Sequence, residues 1–94
     1  MEIFWQNQAL HDLDDTLAYI SEDNPHAAFM LVEEIFDAVE RHLSDNPRIG
    51  CPGRVENTRE FVIHKNYIVV YSLTAVRIDI LSVRHAARLW PGEF

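Results

Sequence analysis

Apolar positions along the first half of the chain recur at helical spacing, and along the second half at strand spacing. Glu2 to Trp5 is short, apolar and aromatic, and reads as an opening strand. From Gln8 the period changes. Leu10, Leu13, Leu17 and Ile20 fall at steps of three and four, the stripe of an amphipathic helix, with Asp12, Asp15, Thr16 and Tyr19 left to face water. Ser21-Glu22-Asp23 closes that helix and Asn24-Pro25 opens another, since Asn is a preferred cap and Pro is tolerated at the first helical position. Ala28, Leu31, Val32, Ile35, Val39 and Leu43 carry its apolar stripe, and Glu33, Glu34, Asp37 and Glu40 its solvated side. The short junction predicts an antiparallel helix hairpin over residues 8–43.

Pro47 stops the second helix, and the turn-rich stretch Ile49-Gly50-Cys51-Pro52-Gly53 predicts a loop reaching Thr58. Three strand-like runs follow: Arg59 to His64, Tyr67 to Leu73 and Val76 to His85, joined by the two-residue turns Lys65-Asn66 and Thr74-Ala75. Connections that short make an antiparallel meander over 59–85, with a tail over 86–94. The order of strand, helix hairpin and three strands predicts an α+β two-layer sandwich. A sheet with helices on one face and water on the other should alternate apolar and polar. Here it does not. Tyr67, Val69, Tyr71 and Leu73 point one way and Ile68 and Val70 the other; Ile78 and Ile80 oppose Leu81 and Val83. Two helices suffice for one face, so the second needs cover, from the tail beginning at Ala86 or from a partner chain.

Ninety-four residues, 48% of them apolar, make one domain of globular composition. No apolar run is long enough to span a bilayer, and Met1 to Trp5 lacks the basic segment of a signal peptide. Cys51 is the sole cysteine, which removes internal disulfides and fits a reducing, cytoplasmic setting. The net charge of −7 hides an asymmetry: residues 1–46 carry eleven acids and one base, Arg41, whereas residues 47–94 carry seven bases against four acids. An acidic total argues against broad nucleic-acid affinity, yet leaves room for a basic working surface in the second half.

Most chemical constellations lead nowhere. His11 with Asp15 has one-turn spacing and His42 lies near Asp45, but neither has a third ligand at convincing spacing, so no metal and no cofactor is expected. Cys51, with His64 or His85 as conceivable partners, has no nucleophile motif around it. The second half is more informative. Arg59, Lys65, Arg77, Arg84, His85 and Arg88 fall on or beside adjacent strands, with Tyr67, Tyr71 and Trp90 among them. Such a surface suits phosphate neutralisation with base stacking, or metal-free RNA cleavage, which needs a base, a cation and an acid. The plain alternative is that these bases balance acids on the helix layer or on a partner.

The order of motifs resembles the RelE/ParE superfamily of toxins from bacterial type II toxin–antitoxin modules, and its ParE branch in particular. Trp5, Ala9-Leu10-x-Asp12-Leu13 and Tyr19-Ile20 resemble the family's opening strand and first helix. Asn24-Pro25-x-Ala27-Ala28 resembles its hairpin junction, and Arg54 with Thr58-Arg59-Glu60-Phe61-Val62-Ile63 its loop and following strand. Tyr67-Ile68-Val69-Val70-Tyr71 resembles the middle strand, and Ile80-Leu81-x-Val83-x-His85-x-x-Arg88-x-Trp90-Pro91 the terminus.

The resemblance implies the β-α-α-β-β-β sandwich already predicted, and a toxin neutralised by a co-encoded antitoxin. That antitoxin would cover the second sheet face at Ile68, Val70, Leu81 and Val83, by strand addition or helix-in-groove packing. RelE-like members cut mRNA on the ribosome, whereas ParE-like members inhibit DNA gyrase without being nucleases. Ile68 stands about where RelE-type nucleases carry an Arg, the chain ends in Trp90-Pro91-Gly92-Glu93-Phe94 without a terminal catalytic Tyr, and the acidic total suits the ribosome poorly. These departures favour a ParE-like gyrase inhibitor that is not an enzyme. Its target contacts are then expected at Arg59, Lys65, Arg84, His85, Arg88 and Trp90. The alternative is a ribosome-dependent mRNA endonuclease, with His85 as general acid or base and Arg59 and Arg88 holding phosphate. A third reading is a degenerate toxin fold kept as a non-toxic binding partner.

Overall fold

The computed structural model describes residues 1–63 and 67–85. Strand β1 (Glu2–Trp5) leads into helix α1 (Asn7–Ser21), and helix α2 (Pro25–Ala38) continues as a π-helical turn over Val39–Leu43. Four strands follow: β2 (Cys51–Pro52), β3 (Arg59–Ile63), β4 (Tyr67–Leu73) and β5 (Arg77–His85). They form one sheet in the order β1-β5-β4-β3-β2, with β1 parallel to β5 and the other pairs antiparallel. The helices lie against this sheet in an α+β arrangement.

The start of α2 follows its sequence signal: the Asn24 side-chain oxygen accepts the Ala27 N–H at 3.0 Å, and Pro25 needs no partner for a missing N–H. At the β1–α1 junction the Gln6 N–H donates to the Ile80 carbonyl at 2.9 Å, which fixes the helix against β5. Ile35, Val39 and Leu43 from the helical layer meet Val69, Tyr71, Ile78 and Ile80 from the sheet, all fully buried.

The loop expected to run to Thr58 contains β2, whose Cys51 and Pro52 pair with Glu60 and Arg59. Turn formers on both sides hide this strand in the sequence, and Pro52 is tolerable because β2 is an edge. Beyond it the chain turns through Asn57 at φ 66°, and the Gly53 N–H donates to the Thr58 carbonyl at 2.7 Å. A Cβ on Gly53 would come within 2.2 Å of the Thr58 hydroxyl oxygen, so only glycine fits that close approach.

Two expectations about facing are corrected. Asp12 and Thr16 do not face water; with Ala9 and Leu13 they are the buried side of α1, while Leu10 is 43% exposed. The cause lies in β5. Pairing runs Val70 with Ser82 and then Tyr71 with Ile80, so Leu81 is an extra residue in a β-bulge. Asp12 supplies what the bulge lacks: its Oδ2 accepts the Ser82 hydroxyl at 2.8 Å and the Val83 N–H at 2.9 Å, and its Oδ1 accepts from Gln8 Nε2 at 2.8 Å.

The same bulge reverses the alternation, which corrects the second facing. Val83 is buried in the helix-side core with Ile78 and Ile80, not on the second face. That face holds a small cluster of Ile68 and Val70, 7% and 2% exposed, with Leu81 packed against it. Ile68 and Val70 are therefore already buried in the chain without a partner, and do not form the open apolar face the pattern implied. The Lys65-Asn66 turn, His64 and the tail over 86–94 lie outside the described residues.

Candidate functional site

The basic residues of the second half occupy two ends of the sheet. At one end β3 begins with Arg59, which pairs with Tyr71 across the ladder and shares its helix-facing side. The loop from Pro47 to Gly50 crosses this end, and its backbone groups need partners once covered. The Tyr71 hydroxyl donates to the Pro47 carbonyl at 2.8 Å and accepts the Gly50 N–H at 3.0 Å. One Arg59 nitrogen donates to the carbonyls of Arg48 and Gly50. Gly50 itself must be glycine, because a Cβ would lie 2.7 Å from the Glu60 carbonyl and 2.8 Å from the Tyr71 hydroxyl. Next along β3, Glu60 accepts the Arg54 N–H at 3.0 Å and pairs with the Arg54 side chain at 3.9 Å. The Arg54…Arg59-Glu60 motif is thus a clamp on the loop, with one Arg59 nitrogen on backbone carbonyls and its buried Nε without a hydrogen-bond partner among the described residues.

Four residues further along β3, Ile63 pairs with Tyr67, and Tyr67 pairs with His85. The Tyr67 and His85 rings meet edge to face with centroids 4.9 Å apart. At roughly 3.3 Å per residue, Arg59 and His85 are separated by about 13 Å along the strand direction alone. Arg84 pairs with Ile68, which belongs to the opposite sheet face. The fold therefore does not bring Arg59, Arg84 and His85 into one cluster. Lys65, Arg88 and Trp90 lie outside the described residues.

The stacking platform also fails to form at the tyrosines: Tyr71 is 0% and Tyr67 7% exposed, so neither ring is open to a base. Arg77 is engaged too, its Nε 3.2 Å from Asp79 and its guanidinium 4.6 Å from the centroid of Phe4. Gln6 Nε2 donates to the same Asp79 at 2.9 Å. Arg54, Arg59 and Arg77 thus spend charge inside the chain, but on Glu60 and Asp79 of the sheet and on loop carbonyls, not on acids of the helix layer. Arg48 is an exposed residue that the sequence reading passed over because no motif surrounds it.

No group of three or more His, Cys, Asp or Glu side chains able to hold a metal ion occurs among the described residues. His11 and Asp15 form an exposed pair at 3.5 Å, and His42 meets the Phe61 ring edge to face. Cys51 is exposed on β2 and His85 lies three strands away, roughly 14 Å at the usual strand spacing, so they form no dyad. No helix among the described residues is long and apolar enough to cross a membrane.

Residues 3–90 match the family described as ParE toxin of type II toxin–antitoxin system, parDE. A candidate toxin of Sinorhizobium fredii, Y4kP, is 41% identical over 90 residues, which are 95% of this chain and 92% of that protein. Among solved structures, a chain of the chromosomal ParDE system of P. aeruginosa superposes with a TM-score of 0.79 at 24% identity, covering 90% of this chain and 95% of that one. A chain of the RelBE2 toxin–antitoxin complex of Mycobacterium tuberculosis reaches 0.66 at 21% identity, covering 89% and 95%. A YoeB/ParE toxin from Agrobacterium tumefaciens reaches 0.61 at 17%, covering 90% and 98%. At these identities the solved structures attest the fold.

Proposed function

The chain belongs to the ParE toxin family of type II toxin–antitoxin systems, and from that premise we propose that it acts on DNA gyrase, stops replication, and is held silent by a co-encoded antitoxin. The observation that carries this reading over mRNA cleavage is the separation of Arg59 and His85, the described groups that cleavage would use. Metal-free cleavage requires a base, an acid and a cation converging within hydrogen-bond reach of one phosphate. Arg59 is committed to the carbonyls of Arg48 and Gly50, and His85 stands at the far end of β4 and β5 against Tyr67. Ile68, on the middle strand between them, offers no charge to a phosphorane.

A protein that works by contact needs no such convergence. Arg84 and His85 end β5, and the sequence runs on from there to Arg88 and Trp90, so this end is the target-facing end in the proposal. Their role is contact and charge. Arg59 contributes at a distance, by holding the loop at the other end.

A supercoiling assay with purified protein, gyrase, relaxed plasmid and ATP tests the proposal. The expected result is loss of supercoiling with accumulation of linear, protein-linked DNA, both abolished in an R84A/H85A double variant that still folds. Intact supercoiling together with in-frame transcript cuts after induction would replace it with the ribosome-dependent endonuclease. Expression without antitoxin that leaves growth unaffected would point to the non-toxic binding partner.

A further inference from the structure

Two clefts meet at the loop end of the sheet, and Arg48 and Leu73 line both. One, of about 530 Å³, runs past Pro47 and Ala75; the other, of about 360 Å³, runs past Pro52 and Asn57. Together they make a bent trough of mixed polar and apolar lining, with Arg48 at its elbow and Arg59 along its smaller arm. Arg41, Arg54 and Arg77 each pair with an acid, at 3.0, 3.9 and 3.2 Å, whereas the Arg48 guanidinium has no partner among the described residues. Its backbone is nevertheless held hard: Arg59 binds the Arg48 carbonyl and the Tyr71 hydroxyl binds the Pro47 carbonyl. A buried clamp thus presents a free cation at the mouth of a cleft, which lowers the ordering cost of binding there.

We propose that this trough is the docking site for an extended acidic segment of the co-encoded antitoxin, placing a carboxylate on Arg48 and a neighbouring apolar side chain on Leu73. The inference rests on the toxin–antitoxin reading above and deepens it by naming where and by what chemistry the partner binds. Arg48 beside Leu73 fits a carboxylate next to an apolar side chain. A nucleic acid would need several phosphates neutralised at once, in a chain whose net charge is −7. The eleven acids of residues 1–46 repel an acidic segment from most of the surface and leave the trough as its landing place. The second sheet face cannot serve through Ile68 and Val70, which the chain already buries.

The test is calorimetric titration of the purified chain with the full-length co-encoded antitoxin, at low and high salt. R48E should weaken binding thirtyfold or more and flatten its salt dependence, whereas R48K should retain most of the affinity and R41E should match the wild type. A75W, which fills the trough without changing charge, should weaken binding as well. Melting curves of R48E and A75W should overlay the wild type, because both side chains are exposed. Wild-type affinity in both R48E and A75W would overturn the docking site while leaving the toxin–antitoxin reading standing. Failure of the wild-type chain to bind the antitoxin would sink that reading and the site with it. Binding of a labelled single-stranded DNA that R48E alone abolishes would give the trough to nucleic acid and overturn the proposal.

Discussion

The two ends of β4 carry the same kinds of residue on the same side of the sheet and use them differently. Tyr71 faces Arg59 at one end and Tyr67 faces His85 at the other, four residues apart along β4. At the Tyr71 end a loop crosses over, so the hydroxyl and one guanidinium nitrogen bind three carbonyls and an N–H. The β5 bulge, opposite Val70 and Tyr71, has its polar groups met by Asp12 from α1, and at the far end of β4 Tyr67 and His85 are in ring contact. A tyrosine paired with a base is thus a clamp on the loop at one end of the strand and a buried ring contact at the other.

Five substitutions at four positions test this contrast. The largest effect is expected for Asp12→Ala, which strands the Val83 N–H and the Ser82 hydroxyl in a buried setting and should cost about 2–4 kcal/mol by urea unfolding. Asp12→Asn keeps an acceptor and should recover part of that loss. Tyr71→Phe comes next, at about 1–3 kcal/mol, since the Gly50 N–H and the Pro47 carbonyl lose their shared partner. It should also raise amide exchange at Gly50, and unchanged exchange there would break the clamp account. His85→Ala removes the edge-to-face contact with Tyr67, a loss of about 0.5–1.5 kcal/mol, while gyrase inhibition should fall sharply. The reverse outcome, with stability lost and inhibition kept, would erase the distinction between the two ends. Leu10→Lys should be the mildest, within about 0.5 kcal/mol by thermal melting, because Leu10 lies on the exposed side of α1.

The stripe of α2 was legible residue by residue. Ala28, Ile35, Val39 and Leu43 are buried, and Asn24 caps the helix through its side chain. The corresponding stripe of α1 was misread, because hydropathy ranks Leu10 above Asp12 and has no way to register a bulge 70 residues later that needs a carboxylate. The candidate site was legible only as a list of bases. Periodicity placed Arg59 and His85 on neighbouring strands without saying that the register separates them along the sheet. Arg48 carried no signal at all, since its distinction lies in what its neighbours hold and what its side chain leaves unpaired.

By itself the sequence determined the order of the elements other than β2, the antiparallel helix hairpin, the meander and the family, because these depend on periodicity, caps and turn formers acting over a few residues. Tertiary structure alone decided the parallel addition of β1 to β5, the inward turn of Val83 and Asp12, and the employment of Arg59 and Tyr71 as a loop clamp. Each of those follows from a backbone group or an extra residue that needs a partner far away in the chain, and such needs exist only once the chain has folded.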